Sequence, residues 1–179
     1  MEVHSAHIAE TRAGPVTVWV SPEGLRHIEF GPLPTEHHLD PPERHPETLK
    51  HAVAQLRDYF AGERTDFDLP LDLSGVATPF QRQVYERLLE VQYGRVISYR
   101  ALAEAVGGSE LSRAVGQAVG ANPIPIVIPC HRVVGADGRL TGYSGGLAVK
   151  IALLRLEGID VDGNRPGSRV RPDIIPLDL

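Results

Sequence analysis

The stretch Asn122-Pro-Ile-Pro-Ile-Val-Ile-Pro-Cys-His-Arg-Val-Val134 constrains the fold of this chain more than any other. Pro123 and Pro125 break an apolar run. Each lacks an N–H and clashes with the turn before it, so the segment cannot be an α-helix. It is expected to run extended and mostly buried, and so to deliver Cys130 to a fixed place. Cys130 is the single cysteine of the 179 residues and is followed directly by His131. A thiol beside an imidazole admits two readings. A free cysteine is commonly a small buried hydrophobe. It is a nucleophile where a nearby base favours the thiolate. Adjacent side chains on an extended chain point to opposite faces, so the dipeptide alone does not decide.

One cysteine permits no internal disulfide and no Cys-based zinc finger. A reducing compartment suits a thiol that must stay free, which points to the cytoplasm, or to the nucleus in a eukaryote. No run of about 18 apolar residues exists, so no membrane span is expected. Met1-Glu-Val-His-Ser-Ala-His7 lacks a basic segment followed by an apolar core, so it does not read as a signal peptide. Net charge is −5, which argues weakly against a nucleic-acid partner. The distribution changes that. Residues 1–77 carry 6 Lys/Arg against 13 Asp/Glu, whereas residues 78–157 carry 9 against 6. The part that holds Cys130 is mildly basic, so a phosphate backbone could dock there with modest, salt-sensitive affinity.

Val16-Thr-Val-Trp-Val20 and Leu25-Arg-His-Ile-Glu-Phe30 alternate in polarity around the turn Ser21-Pro-Glu-Gly24. They predict a hairpin within a small sheet. Gly31 to Pro46 reads as a loop. His37, His38 and His45 in it are either solvated or metal ligands, but no helical or CxxC spacing fixes them. Pro46 to Ala61 predicts a helix with Leu49, Val53, Leu56 and Phe60 on one face and Gly62 as its stop. Phe67 to Leu73 reads as an edge strand or an extended link, limited by Pro70. Ser74 to Pro79 marks a boundary.

Thr78 and Pro79 open the next helix as cap and first residue, with Phe80, Val84, Leu88 and Val91 as its stripe. Val96-Ile-Ser98 is short and extended. Ser98 caps a helix from Tyr99 to Val106, which stops at Gly107-Gly108. A further helix runs from about Leu111 to Gly120. Two short helices around a Gly-containing turn predict a helix-turn-helix. Ala114, Gly116, Ala118 and Gly120 strip bulk from the second of them, although glycine inside a helix costs about 1 kcal/mol relative to Ala. The purpose is either tight helix packing or a flat face that a duplex can approach. Arg113 is the one large basic side chain near its start. Such a face has almost nothing with which to read base edges, so it suits sequence-independent binding in the minor groove. Leu147 to Leu156 predicts the last helix, closed by Glu157-Gly158. The tail from Ile159, rich in Pro and Gly, is expected to be loosely ordered or draped over the surface. The expected fold is α+β. An α/β N-terminal domain with a short sheet spans 1–77, a mainly α-helical C-terminal domain with a helix-turn-helix spans 78–158, and a tail spans 159–179.

Three motifs carry a resemblance: Pro129-Cys-His-Arg-Val133, Tyr143-Ser-Gly-Gly146 and Ser112-Arg-Ala-Val-Gly116. Thr78-Pro-Phe-Gln81 and Leu156-Glu-Gly158 add to it. With them the chain resembles the O6-alkylguanine-DNA alkyltransferases, densely from Thr78 to Gly158 and more loosely over 16–73. The resemblance implies an irreversible, single-turnover transfer of an alkyl group, such as methyl, from O6 of guanine in double-stranded DNA to Cys130. It implies His131 as base, acting directly or through a water, and Glu157 as its orienting carboxylate. Asn122 would hold the turn before the cysteine. Tyr99 would give a proton or hydrogen bond to the departing guanine. Ser144 would contact O6 through its backbone N–H, the Val133 carbonyl would accept from the guanine amine, and Tyr143 would wall the pocket. The target base must leave the duplex, at a cost of a few kcal/mol. Arg113 would fill the gap in the stack, with Ser112, Ala114 and Gly116 against the minor groove. A monomer without cofactor is expected. Some relatives hold a structural zinc through N-terminal Cys and His, but no cysteine lies there, so no metal is expected.

Three rivals stand beside this reading. A lesion-binding relative that lacks the nucleophile is opposed by Cys130 itself. A Cys hydrolase would need an oxyanion hole and a small-molecule cleft, and it would turn over. A transcription regulator is disfavoured by the Gly/Ala face.

Overall fold

The computed structural model describes residues 2–33 and 39–171. Two units divide the chain, residues 1–75 and 76–179.

In the first unit, strands β1 (His4–Ile8), β2 (Val16–Ser21) and β3 (Gly24–Phe30) form an antiparallel sheet in the order β1-β2-β3. The β2–β3 hairpin is the one the alternation predicts. Its register slips by one residue at Trp19/Val20. Strand β1 is an addition, because His4-Ser-Ala-His-Ile8 carries too little apolar alternation to read as a strand. Val16, Val18 and Val20 are fully buried. Helix α1 (Glu47–Ala61) packs on the sheet with Leu49, Ala52, Leu56, Tyr59 and Phe60 inward. Val53, assigned to that face, is only half-buried. Gly62 ends α1 in the left-handed region, φ 79°, where glycine avoids a Cβ clash. Leu71 makes a single parallel bridge to Leu25, so residues 67–73 form the extended link rather than a strand. His37 and His38 lie outside the described residues. Among those described, no group of three or more His, Cys, Asp or Glu is placed to hold a metal.

The second unit begins with α2 (Pro79–Leu89). Thr78 and Gln81 form a reciprocal capping box at its start, worth about 1 kcal/mol. Helices α3 (Tyr99–Val106) and α4 (Ser112–Gly120) pack on α2 and on each other. Ser98 caps α3 by accepting from the Ala101 N–H. Val84, Leu88, Leu102, Val115 and Val119 close the core between the three helices. Strands β4 (Ile97–Ser98) and β5 (Val133–Val134) pair in parallel, and helix α5 (Leu147–Leu156) follows.

A second cluster joins Val96, Val134, Ile151 and Leu154 to Ile159, Val161 and Val170. The tail is therefore not loose over 159–171. Val161 bridges to Val170, the Leu140 N–H donates to the Ser168 carbonyl, and Arg155 donates to the Val161 and Gly163 carbonyls. Three apolar residues spaced among the prolines and glycines suffice to anchor it, since each buried side chain contributes about 2 kcal/mol. Residues 172–179 lie outside the described set. No described helix is long and apolar enough to cross a membrane.

Candidate active site

Pro123, Pro125 and Pro129 remove three N–H donors from the segment that leads to Cys130. The Asn122 side chain supplies the missing connections. Its Nδ2 donates to the Ile128 carbonyl at 2.8 Å, and its Oδ1 accepts from the Ile124 N–H at 3.0 Å. Between these anchors Ile126 sits at φ 76°, a rare position for a β-branched side chain. Strain of this kind costs about 1–3 kcal/mol and persists only where surrounding contacts hold it. Ile124, Ile126 and Ile128 are buried and do so here.

The expected extended path fails at the cysteine itself. Cys130–Arg132 is one turn of 3-10 helix, set by a bond from the Arg132 N–H to the Pro129 carbonyl. Successive side chains on such a turn diverge by about 120° rather than alternating between two faces. That gives the three residues three different surroundings.

Cys130 is 1% exposed, yet it lines a cavity of about 170 Å³ together with Tyr99, Gly116, Gly142, Tyr143 and Ser144. Its Sγ lies 3.9 Å from the Tyr143 hydroxyl, a long contact. Burial pushes the thiol pKa up, while hydrogen bonding to Asn122 and Tyr143 and the nearby Lys150 cation pull it down by less. A larger cleft of about 380 Å³ lies in the first unit near Arg12 and Arg57. It is lined by no thiol or imidazole, and the Thr11 hydroxyl at its edge is bound to the Gly14 carbonyl, so the smaller cavity is the one with the reactive thiol.

His131 is fully buried. Its Nε2 lies 2.6 Å from Glu157 Oε1. Arg132 grips the same carboxylate in a fork, Nε to Oε2 and Nη2 to Oε1, both at 2.9 Å. The Gly94 N–H adds a fourth bond at 3.2 Å. Burial alone would raise the pKa of Glu157, but His131 and Arg132 outweigh it and hold the carboxyl well below its usual range. Burial lowers the pKa of His131 despite the attraction of Glu157. The two directions agree on a neutral imidazole beside an ionised carboxylate. Nε2 then carries the proton and donates it to Glu157, which leaves Nδ1 as the acceptor. Nδ1 is buried and has no hydrogen-bond partner among the described residues.

The cavity therefore gathers Cys130, Tyr99, Tyr143, Ser144 and Gly116, with His131 and Glu157 in a buried network and Asn122 bracing the segment before the cysteine. Val133 is buried, and its carbonyl accepts from Lys150 Nζ at 2.6 Å. Ser112 and Arg113 stand apart at the start of α4. Arg113 is exposed and makes no ion pair among the described residues, and the Ser112 hydroxyl donates to the Ser109 carbonyl. Ala114 is half-buried. A Cβ added at Gly116 would come no nearer than 4.0 Å to Tyr99, and one at Gly120 would meet nothing within 4 Å. Helix packing does not demand these two glycines.

Two residues of the network escaped the sequence reading. Arg132 was visible in the Pro-Cys-His-Arg motif but had no assigned partner. Lys150 is 0% exposed on a helix whose only other polar side chain is Arg155. The only available signal was a lysine flanked by Val149 and Ile151 on the inward side of α5.

Comparison with known proteins follows the same division of the chain. The family model described as 6-O-methylguanine DNA methyltransferase, ribonuclease-like domain matches residues 6–73. The model for the DNA binding domain of the same family matches residues 79–159. A methylated-DNA--protein-cysteine methyltransferase of Mycobacterium tuberculosis is 49% identical over 133 residues, which cover 74% of this chain and 78% of that protein. One from Methanosarcina acetivorans is 41% identical over 154 residues, covering 84% and 96%. The fold is similar to a crystal structure of Mycobacterium tuberculosis OGT in complex with DNA, with a TM-score of 0.73 and 42% identity over 87% of this chain and 93% of that one.

Proposed function

The chain belongs to the 6-O-methylguanine DNA methyltransferase family, and we propose that it repairs DNA by moving an alkyl group from O6 of guanine to its own Cys130, once per molecule. The observation that carries this reading is the placement of the sulfur. Cys130 lines a cavity together with Gly116, Val119 and Gly120 of α4, and a buried imidazole–carboxylate pair follows it in sequence.

The thiol is protonated at rest because it is buried. His131 Nδ1 takes that proton, through a water, and Glu157 with Arg132 stabilises the imidazolium that forms. The thiolate attacks the alkyl carbon. A C–S bond forms, the C–O6 bond breaks, and its electron pair passes to the guanine. Tyr99 gives a proton to the departing base and regains one from solvent. The product is a thioether, which no group in the site can cleave, so the protein stops after one event.

The DNA partner is a duplex carrying O6-alkylguanine. The smooth face of α4, with Ser112, Ala114 and Gly116, lies along the minor groove. Arg113, exposed and unpaired at its start, enters the stack when the base flips out. The Ser144 N–H meets O6, the second lone pair of the Val133 carbonyl accepts the guanine amine, and Tyr143 covers the ring. The protein acts as a monomer, in the cytoplasm or in a eukaryotic nucleus.

Intact-protein mass after mixing with excess duplex that carries one O6-methylguanine tests the reading. The expected gain is one methylene per protein, mapped to the Cys130 peptide and absent in Cys130→Ala, which still binds the duplex. Binding without mass gain in the native protein would leave a lesion sensor instead. Repeated turnover would indicate a hydrolase.

A further inference from the structure

Tyr99 and Thr141 share a hydroxyl–hydroxyl hydrogen bond of 3.0 Å, with Thr141 Oγ1 as donor and Tyr99 Oη as acceptor. The two residues are 42 positions apart, and no other hydrogen bond to Tyr99 Oη is seen among the described residues. Each hydroxyl owns one proton. Because Thr141 spends its proton on Tyr99, the phenol proton remains for the cavity that Tyr99 lines with Cys130.

We propose that Thr141 is a positioning residue for alkyl transfer, which aims the Tyr99 proton at the departing base and stabilises the phenolate once that proton has gone. The inference rests on the alkyl-transfer reading. The proton balance favours it. When the C–O6 bond breaks, guanine gains an electron pair and Tyr99 loses a proton. A phenolate is acceptor-only, and Thr141 already stands as its donor, so no group must reorient as the charge appears. Burial raises the pKa of Tyr99, the Thr141 hydrogen bond opposes that, and the Cys130 charge adds to the rise. Without Thr141 the phenol would part with its proton less readily. The exposed Thr141 is also the start of the loop that carries Tyr143 and Ser144 into the cavity. One loop thus serves both ends of the reaction, Tyr143 at the sulfur and Thr141 at the leaving group.

The test is single-turnover transfer from O6-methylguanine duplex at saturating DNA, in the native protein, Thr141→Val, Thr141→Ser, Tyr99→Phe and the Thr141→Val/Tyr99→Phe double variant. Thr141→Val is expected to slow transfer three- to tenfold with duplex affinity and melting temperature unchanged. Thr141→Ser is expected to restore the native rate. In the Tyr99→Phe background the Thr141→Val change is expected to have no effect, which a loss of loop shape would not reproduce. An unchanged rate in Thr141→Val, or an equal loss in both backgrounds, overturns this inference while the transfer reading stands. A native protein that takes up no methyl group overturns both.

Discussion

Each unit of this protein buries one carboxylate beneath an arginine, and the two sites do different work. In the first unit Asp72 accepts from the Ser21 hydroxyl and from Arg26 Nη1, both at 2.7 Å, and from the Ser74 N–H at 2.9 Å. Arg26 also donates to the Ser74 hydroxyl. The network is closed and ties the β2–β3 turn to the outgoing link. In the second unit Glu157 has an arginine fork, an imidazole and a backbone N–H. That network ends on His131 Nδ1, a buried acceptor with no partner among the described residues. Ionisation is alike at the two sites. Burial would raise both carboxyl pKa values, and both are lowered instead, at Asp72 by hydrogen bonds from Ser74, Ser21 and Arg26 and at Glu157 by the attraction and hydrogen bonds of His131 and Arg132. The difference is the spare acceptor beside a nucleophile. A fully satisfied polar network fixes a shape, whereas one with a single open position can also move a proton.

Removing the charge from each carboxylate gives the largest expected contrast. Glu157→Gln should slow transfer by about 10²–10⁴-fold, the usual worth of a positioned base, and cost about 3 kcal/mol because Arg132 is left buried without its partner. Asp72→Asn should cost about 2 kcal/mol and leave the transfer rate of the folded protein unchanged. Single-turnover rates and urea denaturation on the same samples measure both. Equal rate losses would break the comparison.

Acid should expose what the two sites share. Both folded carboxyl pKa values lie below the ordinary 4 or so. The unfolded chain therefore binds protons first as pH falls. The stability that these groups contribute is complete above about pH 5 and is lost progressively below about pH 4. Melting temperature from pH 6 to 3 should fall steeply in the native protein and less steeply in Asp72→Asn. Parallel curves would mean that Asp72 is not held ionised by its network.

Lys150 is a buried charge of the opposite kind, since no carboxylate lies within ion-pair distance of it among the described residues. Burial lowers its pKa to about 8, against an ordinary value near 10.4. Between those values the unfolded chain holds more protons, so this group adds stability as pH rises through that window. Below about pH 8 the full penalty applies, about 3 kcal/mol. Lys150→Met should remove that penalty but orphan the Val133 carbonyl, for a net gain of about 1 kcal/mol at pH 7. Its stability should stay flat between pH 8 and 10, where the native protein gains. A loss of stability at pH 7 would show that the bond to Val133 outweighs the buried charge.

The two regions were not equally legible in the sequence. Thr78-Pro79, Ser98 and Gly62 announced helix ends because capping chemistry is local. The β2–β3 hairpin showed itself through alternation. Strand β1 did not, because its pairing is imposed by β2 rather than by its own residues. Cys130, His131 and Glu157 were legible through motifs, and so was the pairing of His131 with Glu157, but the turn that carries Cys130 and His131 was not. The 3-10 turn follows from two backbone bonds, Arg132 N–H to the Pro129 carbonyl and Val133 N–H to the Cys130 carbonyl, which no periodicity encodes. Arg132 and Lys150 acquire partners only in the folded chain. The anchoring of residues 159–171 depends on Val161 and Val170 meeting across a turn, hidden in a segment whose composition reads as loose.

The smallest expected effect concerns the helix that should touch the substrate. Gly116 is interior to α4, and an added Cβ would meet only Tyr99, at an ordinary 4.0 Å. If glycine stood there for tight packing, Gly116→Ala would destabilise the unit. Because the space exists, the change should instead stabilise it by up to about 1 kcal/mol through helix propensity. The added methyl group would narrow the cavity that Gly116 lines and lift the smooth face from the duplex. Duplex repair should therefore slow several-fold while transfer from a free O6-alkylguanine base slows less. A destabilised variant would restore the packing explanation, and an unaffected repair rate would place the DNA on another surface. Gly116 is then kept at a cost in stability for the benefit of the reaction, the reverse of the bargain struck at Asp72.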